Sequence, residues 1–106
     1  MKLDEFTLAV YENINEIMDF FDFEKVYNVM QALNWKWSLE DRLEVPETYD
    51  IRRLARELLI EAVKKVCEGE AKHTTSTGGF EACAYRDENN KIKCKLSFTI
   101  DSWENE

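Results

Sequence analysis

Histidine occurs once, cysteine three times and glycine three times in these 106 residues, and each scarcity closes off a chemistry. With His73 as the single imidazole, a Cys–His nucleophile pair needs Cys67, Cys83 or Cys94 beside it, and no motif around those residues suggests one. The cysteines are odd in number and far apart. They form neither a CxxC pair nor a zinc pattern, so they read as buried, reduced thiols, and no metal site is expected. There is no Walker loop, no GxGxxG and no EF-hand. No carboxylate stands in the kind of apolar stretch that raises its pKa for acid catalysis. The chain is accordingly read as non-enzymatic and without a cofactor. No apolar run approaches the roughly 18 residues of a membrane helix. The start, Met1-Lys2-Leu3-Asp4-Glu5, lacks the apolar centre of a signal peptide. A cytoplasmic protein with no membrane partner is expected.

What is present is enough apolar material for one domain with one modest core: 44% hydrophobic residues, 12% of the chain aromatic. The net charge of −8 is unevenly placed. Residues 1–50 carry four Lys/Arg against twelve Asp/Glu, whereas residues 51–106 carry ten of each. An acidic half disfavours nucleic acid as a direct partner and suits a basic protein surface.

Hydrophobic spacing predicts three helices. In the first, over residues 4–20, Leu3, Phe6, Val10, Ile14, Ile17 and Phe21 form one stripe. Glu5, Glu12, Glu16 and Asp19 gather opposite it as an acidic strip, read either as a solvated face or as a docking surface. The second helix, 23–33, has Asp22 as its cap and Asn34 as a left-handed stop, with Phe23, Val26, Met30 and Leu33 facing inward. The short link predicts that these two helices lie antiparallel. The third and longest, 49–68, is capped by Thr48 and ended by Gly69. It carries a wide stripe, Ile51, Leu54, Ala55, Leu58, Leu59, Ala62 and Val66. A second stripe, Ile60, Val63 and Cys67, lies away from the first. Either the rest of the chain covers that second stripe or another subunit does, and a twofold homodimer there is the expectation.

The remainder reads as an antiparallel meander: strands 71–76, 80–87 and 91–100, with Thr77-Gly78-Gly79 as the first turn. Ile92, Cys94, Leu96, Phe98 and Ile100 face one way, and Lys91, Lys93 and Lys95 face the other. An odd loop, Glu88-Asn89-Asn90 with Asn90 left-handed, sets Phe80 opposite Phe98, Ala82 opposite Leu96 and Ala84 opposite Cys94. That register keeps Cys83 and Cys94 on opposite faces and forbids a disulfide between them. The fold class is α+β, with three helices packed on a three-stranded antiparallel sheet in the order ααα-βββ.

Two further groups are candidates for binding. Arg52, Arg53 and Arg56 cluster near a helix start, where the macrodipole disfavours cations. They pair with Glu47, Asp50 and the acidic half, or they hold an anion. Trp35 and Trp37 either close the core or line a ligand site. The Thr77–Gly79 backbone is too short to be a phosphate signature on its own.

The order Trp35/Trp37, Pro46 before a long helix containing Ala55-Arg56-Glu57-Leu58-Leu59, then Ser76-Thr77-Gly78-Gly79-Phe80 and two strands resembles small accessory proteins encoded by bacteriophages and prophages. The likeness covers roughly residues 20–103. It implies a cytoplasmic accessory protein of the kind that can counter host defence, and it transfers no catalytic residue. Two functions are carried forward. The first is a protein that binds a partner protein through Glu5, Glu12, Glu16 and Asp19. The second is a binder of an anionic, nucleotide-like ligand through Arg52, Arg53, Arg56, Thr77, Gly78 and Gly79, with Trp35 or Trp37 stacking.

Overall fold

The computed structural model describes residues 4–34 and 47–99. Leu3, Trp35, Trp37, Pro46, the connection before it, Ile100 and Trp103 lie outside the described residues.

The first helix, α1, is three pieces end to end: α-helical Glu5–Ala9, a π-helical turn Val10–Ile14 and α-helical Asn15–Phe20. Asp4 caps it, its carboxylate accepting from the Thr7 N–H at 2.7 Å. The Asn15 N–H reaches back five residues to the Val10 carbonyl, the mark of a π turn. This turn changes the inward row from the expected one. Ala9, Ile14 and Met18 are buried, while Val10 and Ile17 are half-buried. The five-residue step from Ala9 to Ile14 spans the π turn, which keeps both on the inner side.

Helix α2, Phe23–Asn34, starts under the Asp22 carboxylate, which accepts from the Lys25 N–H at 3.0 Å. Phe23, Val26 and Met30 are buried as expected. Asn34 is not a left-handed stop. It is the buried last residue of the helix, and the non-glycine residue with positive φ among those described is Asn90. Helix α3 runs Thr48–Cys67. Thr48 is its first helical residue rather than its cap, a position taken by Glu47. Gly69, at φ +124°, releases the chain from the helix.

Strands β1 (Lys72–Thr77), β2 (Phe80–Arg86) and β3 (Ile92–Phe98) form an antiparallel sheet in that order. The expected register holds: Phe80 opposes Phe98, Ala82 opposes Leu96, Ala84 opposes Cys94, and Cys83 opposes Lys95. Asn90 is left-handed at φ 61°. The Asp87 carboxylate fastens the loop, accepting from the N–H groups of Asn89 (2.8 Å) and Lys91 (2.9 Å). These bonds, Lys91's foremost, hold the Asp87 carboxyl below its ordinary pKa. Lys91 and Lys95 are exposed, whereas Lys93, opposite Tyr85, is half-buried. All three cysteines are free; Cys83 is buried, and Cys67 and Cys94 are half-buried.

Helix α3 is the element that packs squarely on the sheet. Ala55 and Ala62 on the helix and Ala82 and Ala84 on the strand are wholly buried, and side chains this small allow the two layers to approach closely. Helix α2 packs on α3 and reaches the sheet with Phe23, whose ring lies 6.3 Å from that of Phe80. Phe80 also meets Phe21 at 6.2 Å and Phe98 at 5.1 Å, tilted as aromatic quadrupoles prefer.

Helix α1 does not lie on the sheet face as expected. It runs beside β3, in the same direction. The Asn13 amide donates to the Ile92 carbonyl at 3.0 Å, and Ile17, Phe20 and Phe21 border a groove with Cys94, Lys95 and Leu96. Sixteen helical residues span about 24 Å, and the seven of β3 also span about 24 Å. The second half of α1, from Asn13 onward, runs along β3 and shields the sheet edge, while its first half lies by the loop at Asn90 and Lys91.

Candidate functional site

The outward side of α1 is the most distinctive surface. Its exposed residues come in pairs four apart: Thr7 and Leu8, Tyr11 and Glu12, Asn15 and Glu16, Asp19 and Phe20. Residues four apart stand one above another on a helix, so these pairs form two parallel rows. Carboxylates Glu12, Glu16 and Asp19 fill the middle. Tyr11 and Phe20, with 71% and 82% of their surfaces in water, flank them. Leu8 extends the apolar portion at the N-terminal end.

Glu5, expected in the same strip, has a different employment. Its carboxylate accepts from both terminal nitrogens of Arg86, at 2.7 and 2.9 Å. That bidentate pairing is chiefly what lowers the Glu5 pKa and raises that of Arg86. Arg86 also donates to the Val66 carbonyl (3.5 Å) in the last turn of α3 and to the Asn90 carbonyl (3.3 Å). One guanidinium therefore ties the start of α1, the end of α3 and the β2–β3 loop together. A groove of about 250 Å³ lies alongside, bordered by Glu5, Leu8, Glu12, Lys91 and Ile92.

The three arginines do converge. Arg52, Arg53 and Arg56 line a shallow cradle of about 280 Å³ with Met18 of α1 and Tyr49, itself 73% exposed. Each guanidinium has a distinct neighbour. Arg52 lies 5.1 Å over the Phe23 ring, Arg53 pairs with Asp50 at 3.6 Å, and Arg56 donates to the Asn15 side-chain oxygen at 3.1 Å. Arg53 thus finds a carboxylate, whereas Arg52 and Arg56 form no ion pair among the described residues.

The glycine turn is not part of that cradle. Gly78 faces Leu54, which stands on the opposite side of α3 from Arg52 and Arg56 at 100° per residue. Thr77, Gly78 and Gly79 therefore do not join the arginines around one ligand. Their geometry has a backbone explanation instead. With φ +59° and +93°, Gly78 and Gly79 form the two-residue turn whose twist suits a hairpin, and Thr77 belongs to β1. His73, the lone imidazole, sits 2.7 Å from the Glu70 carboxylate on the surface. Among the described residues, no group of three His, Cys, Asp or Glu side chains converges to hold a metal ion.

The second stripe of α3 is covered from within the chain. Arg56 reaches Asn15 of α1, and the charge of Glu5 is felt at Cys67. Val63 lies between these two points on the same helix face and has 0% exposure. It offers nothing to a second subunit, which corrects the expectation for that residue. Ile60 and Cys67 are half-buried against the same core. The dimer expected at this stripe loses its motive, because α1 does the covering.

The sequence reading did not single out Tyr11, Phe20 or Tyr49 as surface residues. A signal existed for the first two: both are large and apolar, and both fall off the α1 stripe. No helix among the described residues is long and apolar enough to cross a membrane. No family model, no curated protein and no solved structure matches the chain.

Proposed function

We propose that the chain is a protein-binding module that docks a partner on the outward face of α1. The carrying observation is the pair of aromatic rings left in water, Tyr11 and Phe20, beside Glu12, Glu16 and Asp19. Aromatic side chains are enriched where a second protein buries them, and each ring fully buried contributes about 1.5–3 kcal/mol before the cost of association. The carboxylates select a basic partner surface and steer its approach. Glu5 is left out of the contact, being held by Arg86. The likeness to phage accessory proteins fits a chain whose work is to occupy a host protein, and binding needs no catalytic group.

A second reading, capture of an anionic ligand by Arg52, Arg53 and Arg56, is favoured by one observation. Among the described residues two of the three guanidiniums lack a carboxylate, in a molecule whose net charge is −8. It no longer includes the glycine turn.

The test is photo-crosslinking in cells with the reactive group at position 20 or, separately, at position 53. Capture of one basic protein from position 20, with association slowed and less salt-sensitive in Glu12→Gln/Glu16→Gln and weakened in Phe20→Ala, is the expected result. Unchanged association in both variants would return the α1 face to a role in solubility. Capture from position 53 alone would move the site to the arginine cradle.

A further inference from the structure

Among the described residues the sheet is covered at one edge and open at the other. Residues along an antiparallel strand alternate between those whose N–H and C=O address the neighbour and those whose groups point away. The Arg86 N–H bonds the Ala71 carbonyl at 3.3 Å, which sets the phase for β1. By that phase His73, Thr75 and Thr77 address β2. Lys72, Thr74 and Ser76 turn their backbone groups outward. All three are exposed, and no hydrogen bond among the described residues engages those groups. On the far edge the same alternation turns Ile92 outward, and there Asn13 of α1 meets its carbonyl. Strand β1 has no such cover among the described residues. Its pairing with β2 runs unbroken from Lys72 to Thr77, without bulge or proline, two of the devices that spoil an edge; Lys72 at its end is the single charged side chain on the strand besides His73.

The strand is also its own complement. A twofold axis through Thr74 sets Thr74 against Thr74, Lys72 against Ser76 and His73 against Thr75. The pairs at Thr74 and at Lys72–Ser76 are those with outward N–H and C=O, so each exchanges two bonds. Lysine never faces lysine, and threonine pairs are favourable cross-strand neighbours. Moving the axis to Lys72 would instead oppose two ammonium groups, and moving it to Ser76 would set Thr74 against the glycine turn; of the axes through an outward-facing residue, the one at Thr74 pairs the whole strand. We propose that β1 pairs antiparallel with β1 of a second copy of this chain, joining two three-stranded sheets into one continuous sheet. The α1 faces then stand at its two far edges, and the dimer presents two docking surfaces at once. The pairing stands independently of what those surfaces bind.

Sedimentation and amide hydrogen exchange on the whole chain test this. The expected result is a dimer at micromolar concentration with the Thr74 and Ser76 amides protected. Thr74→Pro removes an outward donor without touching the β1–β2 ladder and should give a folded monomer. Thr74→Lys keeps the donor and places like charges across the axis, weakening the dimer about tenfold, with partial recovery in high salt. If the proline variant does not fold, the lysine variant decides. The proposal is overturned by a wild-type monomer at high micromolar concentration, by a dimer indifferent to Thr74→Lys, or by protection of these amides only when a different protein is added.

Discussion

The glycine turn allows a sharp comparison between two adjacent residues of one type. Both have positive φ, but their surroundings differ. A methyl group at Gly78, φ +59°, would meet only Leu54 Cδ2 at 3.8 Å, an ordinary contact. Its cost is the left-handed backbone, about 1–2 kcal/mol. A methyl at Gly79, φ +93°, would stand 2.7 Å from the Phe98 ring and 2.8 Å from the Thr99 carbonyl oxygen. The ring can turn, but the carbonyl is held, because Gly79 and Thr99 share a backbone hydrogen bond of 2.9 Å. Overpacking of that kind adds about 1–3 kcal/mol to the backbone term. Gly78→Ala should therefore destabilise by about 1–2 kcal/mol and Gly79→Ala by about 2–5 kcal/mol. For a chain of this size each kcal/mol lowers Tm by roughly 4–8 °C. Urea unfolding followed by circular dichroism measures both changes. Phe98 packs on Phe80, so the Gly79 variant should also disturb the near-ultraviolet aromatic signal. Equal losses for the two alanines, or a Gly79→Ala protein as stable as wild type, would refute the close approach of the turn to β3.

Three other outcomes are expected. Arg86 depresses the Glu5 pKa below 4.5 in the folded state, so this pair's stabilisation is present above that pH and lost as pH falls through the lower folded value. The stability gap between wild type and Glu5→Gln should shrink on acidification below pH 4.5; a gap constant down to strong acid would contradict the pairing. Deleting Tyr11 from the π turn should leave a folded protein, since Ala9 and Ile14 would then be four apart and still share an α-helical face. Deleting Glu16, outside that turn, should lower Tm far more, and equal effects would argue against the π geometry. Burial pushes the Cys94 thiol up to about 11, so it should react slowly with disulfide reagents at pH 8 and speed up as pH rises through that value; a fast reaction at pH 8 would show that β3 opens.

The sheet was legible because its signals are local. Alternation from Ile92 to Phe98 and the left-handed Asn90 fix the β2–β3 register without reference to the rest of the chain. The π turn was not legible, because nothing in Val10–Ile14 demands it. It exists so that Ala9, Ile14 and Met18 can all reach α3 and the sheet. Expectation failed similarly at Val63: a stripe on α3 says that something covers it, not whether the cover is a second subunit or α1. The arginines could be read as a cluster from their spacing on one helix. Their separation from Gly78 depends on which side of α3 the hairpin turn approaches, a matter of topology.

The bond from Asn13 to Ile92 and the pair of Glu5 with Arg86 join residues about eighty positions apart in sequence. During synthesis α1 leaves the ribosome long before β3 exists. Until then Asn13 and Ile17 have no strand edge beside them, and the helix is only nascent or leans on α3. Contacts of such long sequence separation slow the final folding step, because the intervening loop must be closed before they repay its entropy. A nascent chain stalled before Ile92 would expose the apolar side of α1 together with an unshielded β2, the kind of surface on which chaperones and neighbouring chains act.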